Sequence, residues 1–420
     1  MRQWRMQTAR QSHPGNFSCL RAGVWMLACL IAGCARVIVP LEQQAYVWQR
    51  VWTPAVIDAA RAAPADFSAL RVLVAEMRSD GELQPINPTL TVLAQTGLPV
   101  TAVVRIDGQL APGSSVVLLP ILTALQQQFH DAGIVLRGIE IDYDCASARL
   151  PQYAVLLAEL RQKLPPELRL SITALPTWLQ TSELETLLAS VDEVVLQVHA
   201  VQDPNRGLFS RIHAATWIAA FAARSNKPFR VALPAYGSRV DWDENGRVIA
   251  VISETSASST GIEQRELRAD PREVAVLLQA LQRDPPPHLA GIVWFRLPTA
   301  DDQRAWRTST LHAVIAGQPL RADLRAQLAL REAPGLYDVL LQNRGNLDAD
   351  LPASVRVTAS GCHADALNGY VLPDDENSPA ENELHWKLQK PARLAAGQQR
   401  IIGWLRCADS LSGSVIHVEP

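Results

Sequence analysis

The sequence predicts an α/β fold, a (β/α)8 barrel of the TIM type followed by a small C-terminal all-β domain. Three observations predict it: eight apolar segments have the character of buried strands, amphipathic helical patterns separate them, and the pattern changes to short alternating strands near residue 320. Eight strand-then-helix units close a parallel sheet into a barrel. A doubly wound open sheet is the alternative, and it would require a glycine-rich phosphate turn that the sequence lacks.

The eight strand candidates are rich in Val, Ile and Leu, as strands that are buried on both faces must be. They are Ala45–Val51, Leu70–Met77, Val100–Ile106, Leu136–Asp144, Leu168–Leu175, Glu193–His199, Phe229–Tyr236 and Ala290–Leu297. With the segments between them they place the barrel over residues 45–318, a length close to the roughly 250 residues that such barrels need.

Helical patterns occupy the intervals between these strands. The segments that begin at Val116 and Leu150 place apolar residues three and four positions apart, the spacing of one helix face. A further helix is expected to begin at Asp270, since Asp is a good N-cap, Pro271 suits the first turn, and Glu273 completes a capping box. The helix between the second and third strands has the weakest pattern and is expected near Thr89–Ala94.

Residues 237–270 are expected to form an insertion after the seventh strand. Asn245-Gly246 stands between two alternating runs and is typical of a tight hairpin turn. Because it follows a barrel strand, the hairpin would border a cleft at the C-terminal mouth of the barrel. From residue 319 to 420, alternating segments joined by turn residues predict a small β-sandwich-like domain.

The first 33 residues have the features of a cleavable secretory signal. Four arginines and no acidic residue precede the apolar run Ala22–Ile31, which is too short to span ~30 Å of hydrocarbon. The run leads into Ala32-Gly33-Cys34, which resembles the lipobox of bacterial lipoproteins. The resemblance implies lipidation at Cys34, a tether over residues 34–44, and membrane contact through the lipid alone. A signal peptide without lipidation is the alternative.

An exported protein of this kind belongs to the cell envelope. Ala35 follows the lipobox cysteine, where many inner-membrane lipoproteins have Asp, so the periplasmic side of the outer membrane is favoured. Cys362 and Cys407 are expected to form a disulfide, since the compartment is oxidising and both lie in strand-like context in one C-terminal segment. Two separate thiols are the alternative, and Cys145 is left without a partner.

The composition excludes several classes of function. A chain that is 48% hydrophobic and 19% charged supports a large core and argues against global disorder. A net charge of −3 does not point to nucleic acid, whose binding would require a basic face. Neither a cofactor motif nor a metal-ligand spacing is present, so no cofactor and no metal are expected, and the chain is expected to be a monomer.

The fourth predicted strand carries the residues that point to chemistry. Glu140, Asp142 and Asp144 alternate with apolar residues and therefore share one face of the strand. Packing three carboxylates under helices would be costly, so they are expected to point into the barrel and rise towards its mouth.

Neighbouring carboxylates on one strand face are about 6.6 Å apart by strand rise alone. Like charges held that closely raise at least one pKa, which keeps one acid protonated for donation to a leaving oxygen while its neighbour orients the reacting group. The alternative is a purely structural network in which Arg105 or Arg137 neutralises the acids.

This strand resembles the signature of the chitinase-like glycoside hydrolases of family eighteen, Asp-Gly-φ-Asp-φ-Asp-x-Glu, where φ is apolar. The chain has Arg137-Gly138-Ile139-Glu140-Ile141-Asp142-Tyr143-Asp144. Gly138, the apolar positions and Asp142 match, Glu140 replaces one carboxylate by another, and Arg137 replaces the first Asp. The resemblance implies that Asp144 is the general acid, although it is one methylene shorter than Glu, and that Asp142 orients a substrate amide or its neighbour.

The resemblance extends to other strands and implies substrate-binding residues there. Tyr236 lies in a segment similar to the family's strand seven, and Trp294 lies where a strand-eight Trp often floors the sugar site. Gln197 and His199 stand where strand six of the family ends in Met-x-Tyr-Asp, and His199 is the nearest polar substitute. Glu76, at the end of the second strand, is expected at the same mouth. The chain also resembles an uncharacterised family of exported bacterial barrel proteins, which implies no activity.

These observations favour an envelope-anchored, glycoside hydrolase-like protein that acts on an N-acetylated or other envelope polysaccharide through its strand-four carboxylates. The resemblance implies a substrate-assisted mechanism, which needs no enzyme nucleophile. A catalytically inactive barrel that binds a glycan or a protein partner at the envelope is the alternative, and a structural envelope protein is a third possibility. The sequence leaves open whether the chain is an enzyme.

Overall fold

The structure is a computed structural model that describes residues 40–110, 113–200, 203–253, 263–373, 383–408, 411 and 416–419. The predicted signal over residues 1–33, the lipidation site Cys34 and most of the tether lie outside the described residues. Within the described ranges, no helix combines the length and the apolar character that a membrane crossing needs.

Eight parallel strands close into a barrel, which confirms the predicted fold. The first twelve strands are β1 (Glu42–Val47), β2 (Ala69–Met77), β3 (Leu83–Pro85), β4 (Val100–Ile106), β5 (Leu136–Asp142), β6 (Arg169–Ala174), β7 (Glu193–Gln197), β8 (Phe229–Pro234), β9 (Gly237–Trp242), β10 (Val248–Ile252), β11 (Glu263–Arg268) and β12 (Leu289–Phe295). The barrel order is β1-β2-β4-β5-β6-β7-β8-β12, and pairing of β12 with β1 closes it.

Helices flank the barrel strands along the chain. They are α1 (Pro54–Ala62), α2 (Leu90–Thr96), α3 (Ser114–Asp131), α4 (Leu150–Lys163), α5 (Leu184–Leu188), α6 (Arg211–Arg224), α7 (Pro271–Arg283) and α8 (Thr308–Ile315). The predicted start of α7 is confirmed, since the Asp270 side chain accepts a hydrogen bond from the Arg272 amide. The weakly predicted helix is also present, as α2, and it ends at Gly97 with a left-handed φ of 66°.

The two faces of the barrel strands have different chemistry. On β5, Ile139 and Ile141 belong to the apolar layer between sheet and helices, which also contains Leu118 of α3 and Leu157 of α4. The Tyr153 hydroxyl on α4 donates to the Ile141 carbonyl at 2.9 Å and fixes the helix on the strand. The alternate residues point into the barrel, so the inside is where this protein keeps its buried charges.

The insertion after β8 forms a small antiparallel sheet in the order β10-β9-β11. The predicted hairpin is confirmed: β9 and β10 pair around a turn in which Gly246 has a φ of 71°. Ser238 of β9 and Val251, Ile252 and Ser253 at the end of β10 line a cavity at the barrel mouth. The insertion therefore forms one wall of that cavity, as expected from its place in the sequence.

The C-terminal part is all β, as predicted. Its strands are β13 (Leu324–Leu330), β14 (Leu336–Asn343), β15 (Ala349–Asp350), β16 (Ser354–Thr358), β17 (Cys362–Ala366), β18 (Tyr370–Val371), β19 (Glu383–Leu388), β20 (Arg393–Leu394), β21 (Gln399–Cys407) and β22 (Ile416–Glu419). They form two four-stranded antiparallel sheets, β13-β14-β21-β17 and β18-β19-β16-β22, and the pair β15-β20. Their core is a cluster of its own that includes Val339, Val355 and Trp386.

The predicted disulfide between Cys362 and Cys407 is present. The two cysteines are direct register partners on the antiparallel strands β17 and β21, so the bond closes the end of that sheet. Cys145 is a buried free thiol, and burial raises its pKa to about 12. It is therefore a neutral thiol rather than a nucleophilic thiolate at ordinary pH.

Candidate active site

A cavity of about 480 Å³ opens at the C-terminal mouth of the barrel. Five of the eight residues that the sequence singled out as catalytic or substrate-binding line it: Asp142, Asp144, Gln197, His199 and Tyr236. They come from the ends of β5, β7 and β8, strands that lie close together in the closed barrel. This is the end of the barrel where enzymes of this fold place their sites.

The three acids of β5 share the inner face of the barrel, at three different depths. Glu140 is 0% exposed and lies below the cavity, Asp142 has 4% of its side chain exposed, and Asp144 has 35% exposed at the mouth. A Cβ on Gly138, the next inner position down, would lie 2.5 Å from the Arg169 carbonyl oxygen. Glycine therefore permits the close approach of β5 and β6 beneath these acids.

Arg105 of β4 joins the two upper acids. Its Nη1 atom donates to Asp142 at 2.6 Å and to Asp144 at 3.4 Å, so both carboxylates face one nitrogen. The guanidinium also lies 5.9 Å from the centroid of the Trp48 ring, a cation–π distance. The Arg105 guanidinium thus contacts both carboxylates and the ring of Trp48.

Asp144 has the electrostatic environment of an acid that is partly protonated near neutral pH. Its position within the mouth, which removes water from the carboxyl group, and the neighbouring Asp142 charge raise its pKa to about 6, while Arg105 opposes the shift. The carboxyl group nevertheless remains open to the cavity. A group that is both accessible and partly protonated has the properties of a general acid.

Glu140 belongs to a buried ion network instead. The Tyr46 hydroxyl donates to it at 2.5 Å, and the Arg71 guanidinium contacts both Glu140 and Glu193. Burial raises the pKa of Glu140, and Arg71 counteracts that shift. Since Glu140 does not line the cavity, its position does not support the predicted direct catalytic role.

The same network continues towards the opposite end of the barrel. Arg230 donates to Glu193 at 3.0 Å and to Glu42 at 2.5 Å, and Arg137 donates to Glu42 at 3.1 Å. Positive and negative groups alternate along this chain of contacts, so each buried charge has a counter-charge, as burial of ions requires. Arg137, which replaces the first Asp of the family signature, is thus part of the barrel's internal scaffold.

His199 and Tyr236 form a polar pair on the wall of the cavity. The Tyr236 hydroxyl is 3.4 Å from His199 Nδ1, and Ser238 hydrogen-bonds to the Tyr236 hydroxyl. We assign the tautomer in which Tyr236 donates to Nδ1, because Ser238 already donates to the Tyr236 hydroxyl, and this assignment places the histidine proton on Nε2. Burial lowers the pKa of His199 to about 3, so the ring is neutral. Within the described residues, Nε2 has no hydrogen-bond partner, which leaves a buried donor for a ligand.

Aromatic rings form the remaining wall. Tyr46, Trp48 and Phe295 all line the cavity, with ring centroids 5.2–5.7 Å apart and edge-to-face geometry. Phe295 also lies 5.4 Å from the His199 ring. These rings give the mouth an apolar surface beside its acids, and sugar rings can contact both because they have apolar faces and hydroxyl edges.

The position of Trp294 corrects the prediction that it lines the sugar site. It is 0% exposed on the outer face of β12, where its Nε1 donates to Gln43 at 2.8 Å and its ring packs against Trp306. Alternation along the strand places Phe295, not Trp294, on the cavity side. The position of Trp294 is therefore incompatible with the predicted sugar platform.

Glu76 does not line the cavity either. It forms an ion pair with Arg50 at 2.5 Å, and Arg50 is the member of the pair that reaches the cavity wall. The predicted substrate contact of Glu76 is therefore not supported. Glu76 is set back from the cavity, where it orients Arg50.

Sequence reasoning named Arg105 only in the alternative of a structural network, and it missed several other residues of the cavity wall. Arg105 is the one charged residue of strand β4, and it faces β5. Tyr46 and Trp48 are two positions apart at the end of β1 and so share a face. Phe295 had no comparable signal, because the segment Ile292–Phe295 is apolar at every position.

The part of the chain that the structure describes contains no cluster of three or more His, Cys, Asp and Glu arranged to hold a metal ion. Asp142 and Asp144 face a guanidinium instead.

Comparisons with known proteins match two parts of the chain to families of unknown function. Residues 96–300 match a family described as "Domain of unknown function (DUF3142)", and residues 326–408 match "Domain of unknown function (DUF8456)". No curated protein matches the chain.

Solved structures similar to this chain include enzymes with chitinase-like barrels. The spore cortex-lytic enzyme SleL of Bacillus cereus is 16% identical, with 67% of this chain and 75% of that chain covered and a TM-score of 0.46. A chitinase from Chromobacterium violaceum is 14% identical, covering 66% and 98% at a TM-score of 0.45, and one from Bacteroides thetaiotaomicron is 13% identical, covering 62% and 90% at 0.46. At these identities and TM-scores, the likenesses decide neither activity nor substrate.

Proposed function

We propose that this chain hydrolyses glycosidic bonds in an N-acetylated glycan of the cell envelope, with Asp144 as the general acid. Peptidoglycan and exopolysaccharide are the candidate substrates. The single observation that carries the proposal is the position of Asp144, a carboxyl group at the cavity mouth with a pKa of about 6, beside Asp142 and opposite an aromatic wall.

In the proposed reaction, the Asp144 carboxyl group gives its proton to the glycosidic oxygen as the bond from that oxygen to C1 breaks. The carbonyl oxygen of the substrate's own N-acetyl group supplies an electron pair to C1 and forms a cyclic intermediate. Water then attacks C1, loses a proton to the Asp144 carboxylate, and reopens the ring. Asp142 would orient the amide N–H of the N-acetyl group, and no second enzyme nucleophile is needed.

Replacement of His199 by phenylalanine is expected to raise KM for N-acetylglucosamine oligomers about threefold to tenfold and to change kcat little. The variant keeps an aromatic ring beside Phe295 but removes the Nε2 donor, and one neutral hydrogen bond contributes about 0.5–1.5 kcal/mol. Steady-state kinetics separate the two parameters.

A loss of kcat at unchanged KM would contradict this binding role and would indicate proton transfer by His199. Tyr236→Phe is the matched variant: it removes the hydroxyl that orients His199 and leaves the donor itself in place. Its effect on KM is therefore expected to be smaller than that of His199→Phe.

A second candidate function is a barrel that binds a glycan without cleaving it. The observation that favours it is the contact of Arg105 with Asp144, because the guanidinium stabilises the charged, non-donating form of that acid. The shorter reach of Asp than of Glu at position 144 favours it as well.

One set of assays distinguishes the two candidates. Protein of residues 35–420 would be incubated with N-acetylglucosamine oligomers and a panel of envelope glycans, beside Asp142→Asn and Asp144→Asn. Turnover that both substitutions abolish supports hydrolysis. Binding without turnover supports the binding barrel, and the absence of both from the whole panel would contradict both.

We propose further that the chain is anchored in the cell envelope by a lipid on Cys34, with the periplasmic side of the outer membrane favoured. Support comes from the basic, apolar and Ala32-Gly33-Cys34 segments of the sequence. Mass spectrometry of the mature N-terminus is expected to find an acylated Cys34, and Cys34→Ser is expected to release the protein from the membrane fraction. A mature chain that begins elsewhere without a lipid would contradict the anchor.

A further inference from the structure

A second large cleft lies between the barrel and the C-terminal β domain. Its volume is about 1090 Å³, larger than the roughly 300–1,000 Å³ of pockets that enclose a drug-sized ligand. Five arginines line it, and we call it the arginine cleft: Arg268, Arg304, Arg307, Arg393 and Arg400. Three come from the barrel part and two from the β domain, so the cleft exists only when both are folded.

The arginine cleft is distinct from the cavity at the barrel mouth. In the β9–β11 pair, Ser238 is the register partner of Leu267, so these two side chains share one face of the sheet. Glu266 and Arg268 alternate with Leu267 and point to the other face. Ser238 lines the mouth, whereas Glu266 and Arg268 line the arginine cleft, so the two sites lie on opposite faces of this strand pair.

Positive charge in the cleft exceeds negative charge by three, although the whole chain has a net charge of −3. The two lining acids are already engaged, Glu266 with Arg304 at 2.9 Å and Asp348 with Arg268 at 3.8 Å. Arg307 donates to the Ala300 carbonyl at 3.2 Å.

The surplus of three already includes the other two arginines. Arg393 pairs at 3.0 Å with Asp350, which lies outside the lining and whose side chain is 86% exposed. Arg400 has no ion pair with a carboxylate in the described ranges. Arg400 and Arg307 thus remain available for a ligand with several anionic groups, and such a ligand can compete with the exposed carboxylate of Asp350 for Arg393.

The other lining side chains narrow the chemistry of that ligand. Four amide side chains face the cleft, which suits a ligand with many hydroxyl groups: Gln303, Asn368, Gln398 and Gln399. No aromatic ring lines the cleft in the part of the chain that the structure describes, whereas sites for single-stranded nucleic acid use aromatic rings to stack bases. The guanidinium groups can pair with carboxylates and the amide groups can hydrogen-bond to hydroxyls, and a polysaccharide can carry both groups at regular intervals.

We propose that the arginine cleft binds an acidic polysaccharide, a glycan that carries regularly spaced carboxylate groups. The site is separate from the proposed catalytic mouth and does not depend on hydrolysis there. Anchoring on an acidic glycan would hold the barrel close to a polysaccharide layer.

The proposal is tested by calorimetric titration of the full-length protein in detergent with three polymers. Polygalacturonate supplies carboxylates on sugars, polyphosphate supplies anions without sugars, and dextran supplies neutral sugars. Polygalacturonate is expected to bind, and its affinity is expected to fall with added salt because salt screens charge pairs at an open site. Dextran is expected not to bind.

Arg393→Glu and Arg400→Glu are each expected to weaken polygalacturonate binding at least tenfold. Arg61→Glu on α1, outside the cleft lining, makes the same charge change and is expected to alter binding less than twofold. Gln399→Ala is expected to weaken polygalacturonate binding and to leave polyphosphate binding unchanged. Thermal denaturation confirms that each variant is folded.

Three results would overturn the proposal. If Arg61→Glu weakens binding as much as the cleft variants do, the attraction is a diffuse property of the surface. If polyphosphate binds more tightly than polygalacturonate, the cleft recognises anions rather than an acidic glycan. If neither polymer binds at low salt, the cleft does not hold a polyanion.

Discussion

Replacing Asp144 with asparagine is expected to lower kcat on N-acetylglucosamine oligomers by about two to four orders of magnitude, the usual contribution of a general acid. Asparagine has almost the same shape but cannot donate a carboxyl proton to the leaving oxygen. KM is expected to change little, because the aromatic wall and the His199 donor remain in place. Asp107→Asn is the matched control: Asp107 acts on Asp144 only through its charge and does not line the cavity, so activity is expected to stay within about twofold.

The pH dependence tests the same role independently. Asp144 with a pKa of about 6 donates only while protonated, so kcat is expected to fall about tenfold per pH unit above that value. Arg105 lowers this pKa, and Arg105→Gln is therefore expected to move the fall in activity to higher pH. A pH profile that is identical in the Arg105 variant would show that another group supplies the proton.

Replacing Arg71 with methionine is expected to lower the free energy of unfolding of the barrel by about 3–5 kcal/mol. Arg71 has 2% of its side chain exposed and is the cation between Glu140 and Glu193, so its loss leaves two buried carboxylates without their shared partner. Urea denaturation followed by the circular dichroism of the helices measures the change, since every described helix lies in the barrel part. Arg61→Met, which removes an exposed cation, is expected to change the value by no more than about 0.5 kcal/mol.

The Arg71 variant should also respond to pH in a definite direction. Burial already raises the pKa of Glu140, and removal of Arg71 removes the charge that opposes this shift. The folded variant would then keep a proton on Glu140 at pH values where the unfolded chain has already lost it, so its stability is expected to fall as the pH rises above the ordinary pKa of a glutamate. A variant as stable as the parent at pH 7 would contradict the account of the ion network.

The fold was predictable because its determinants are local and repeated. Most barrel strands are predominantly apolar segments of five to nine residues, and the predicted strands differ from the observed ones mainly in overrunning their C-terminal ends. At those ends the chain leaves the sheet to form the mouth, while residues such as Trp48 and His199 still continue the alternating pattern. Periodicity therefore indicates the strands but not the residue at which pairing stops.

The candidate site was predictable where polarity marks the inner face. Asp142 and Asp144 stand out against apolar neighbours, so alternation alone places them inside the barrel. Trp294 and Phe295 are both aromatic, and the only polar neighbour, Arg296, lines the cavity together with Phe295 rather than alternating with it, so polarity does not distinguish their faces. The contacts of Arg71 with Glu140 and Glu193 depend on which side chains meet across the inside of the barrel, which a linear pattern does not encode.

A crystal structure of Asp144→Asn with a bound N-acetylglucosamine oligomer tests the central claim most directly, because the variant is expected to bind substrate without consuming it. We expect a glycosidic oxygen within hydrogen-bonding distance of the substituted side chain at position 144, with the adjoining sugar against Trp48 and Phe295. An oligomer bound at the mouth with every glycosidic oxygen out of reach of that side chain, or no oligomer there at saturating concentration, would contradict the claim.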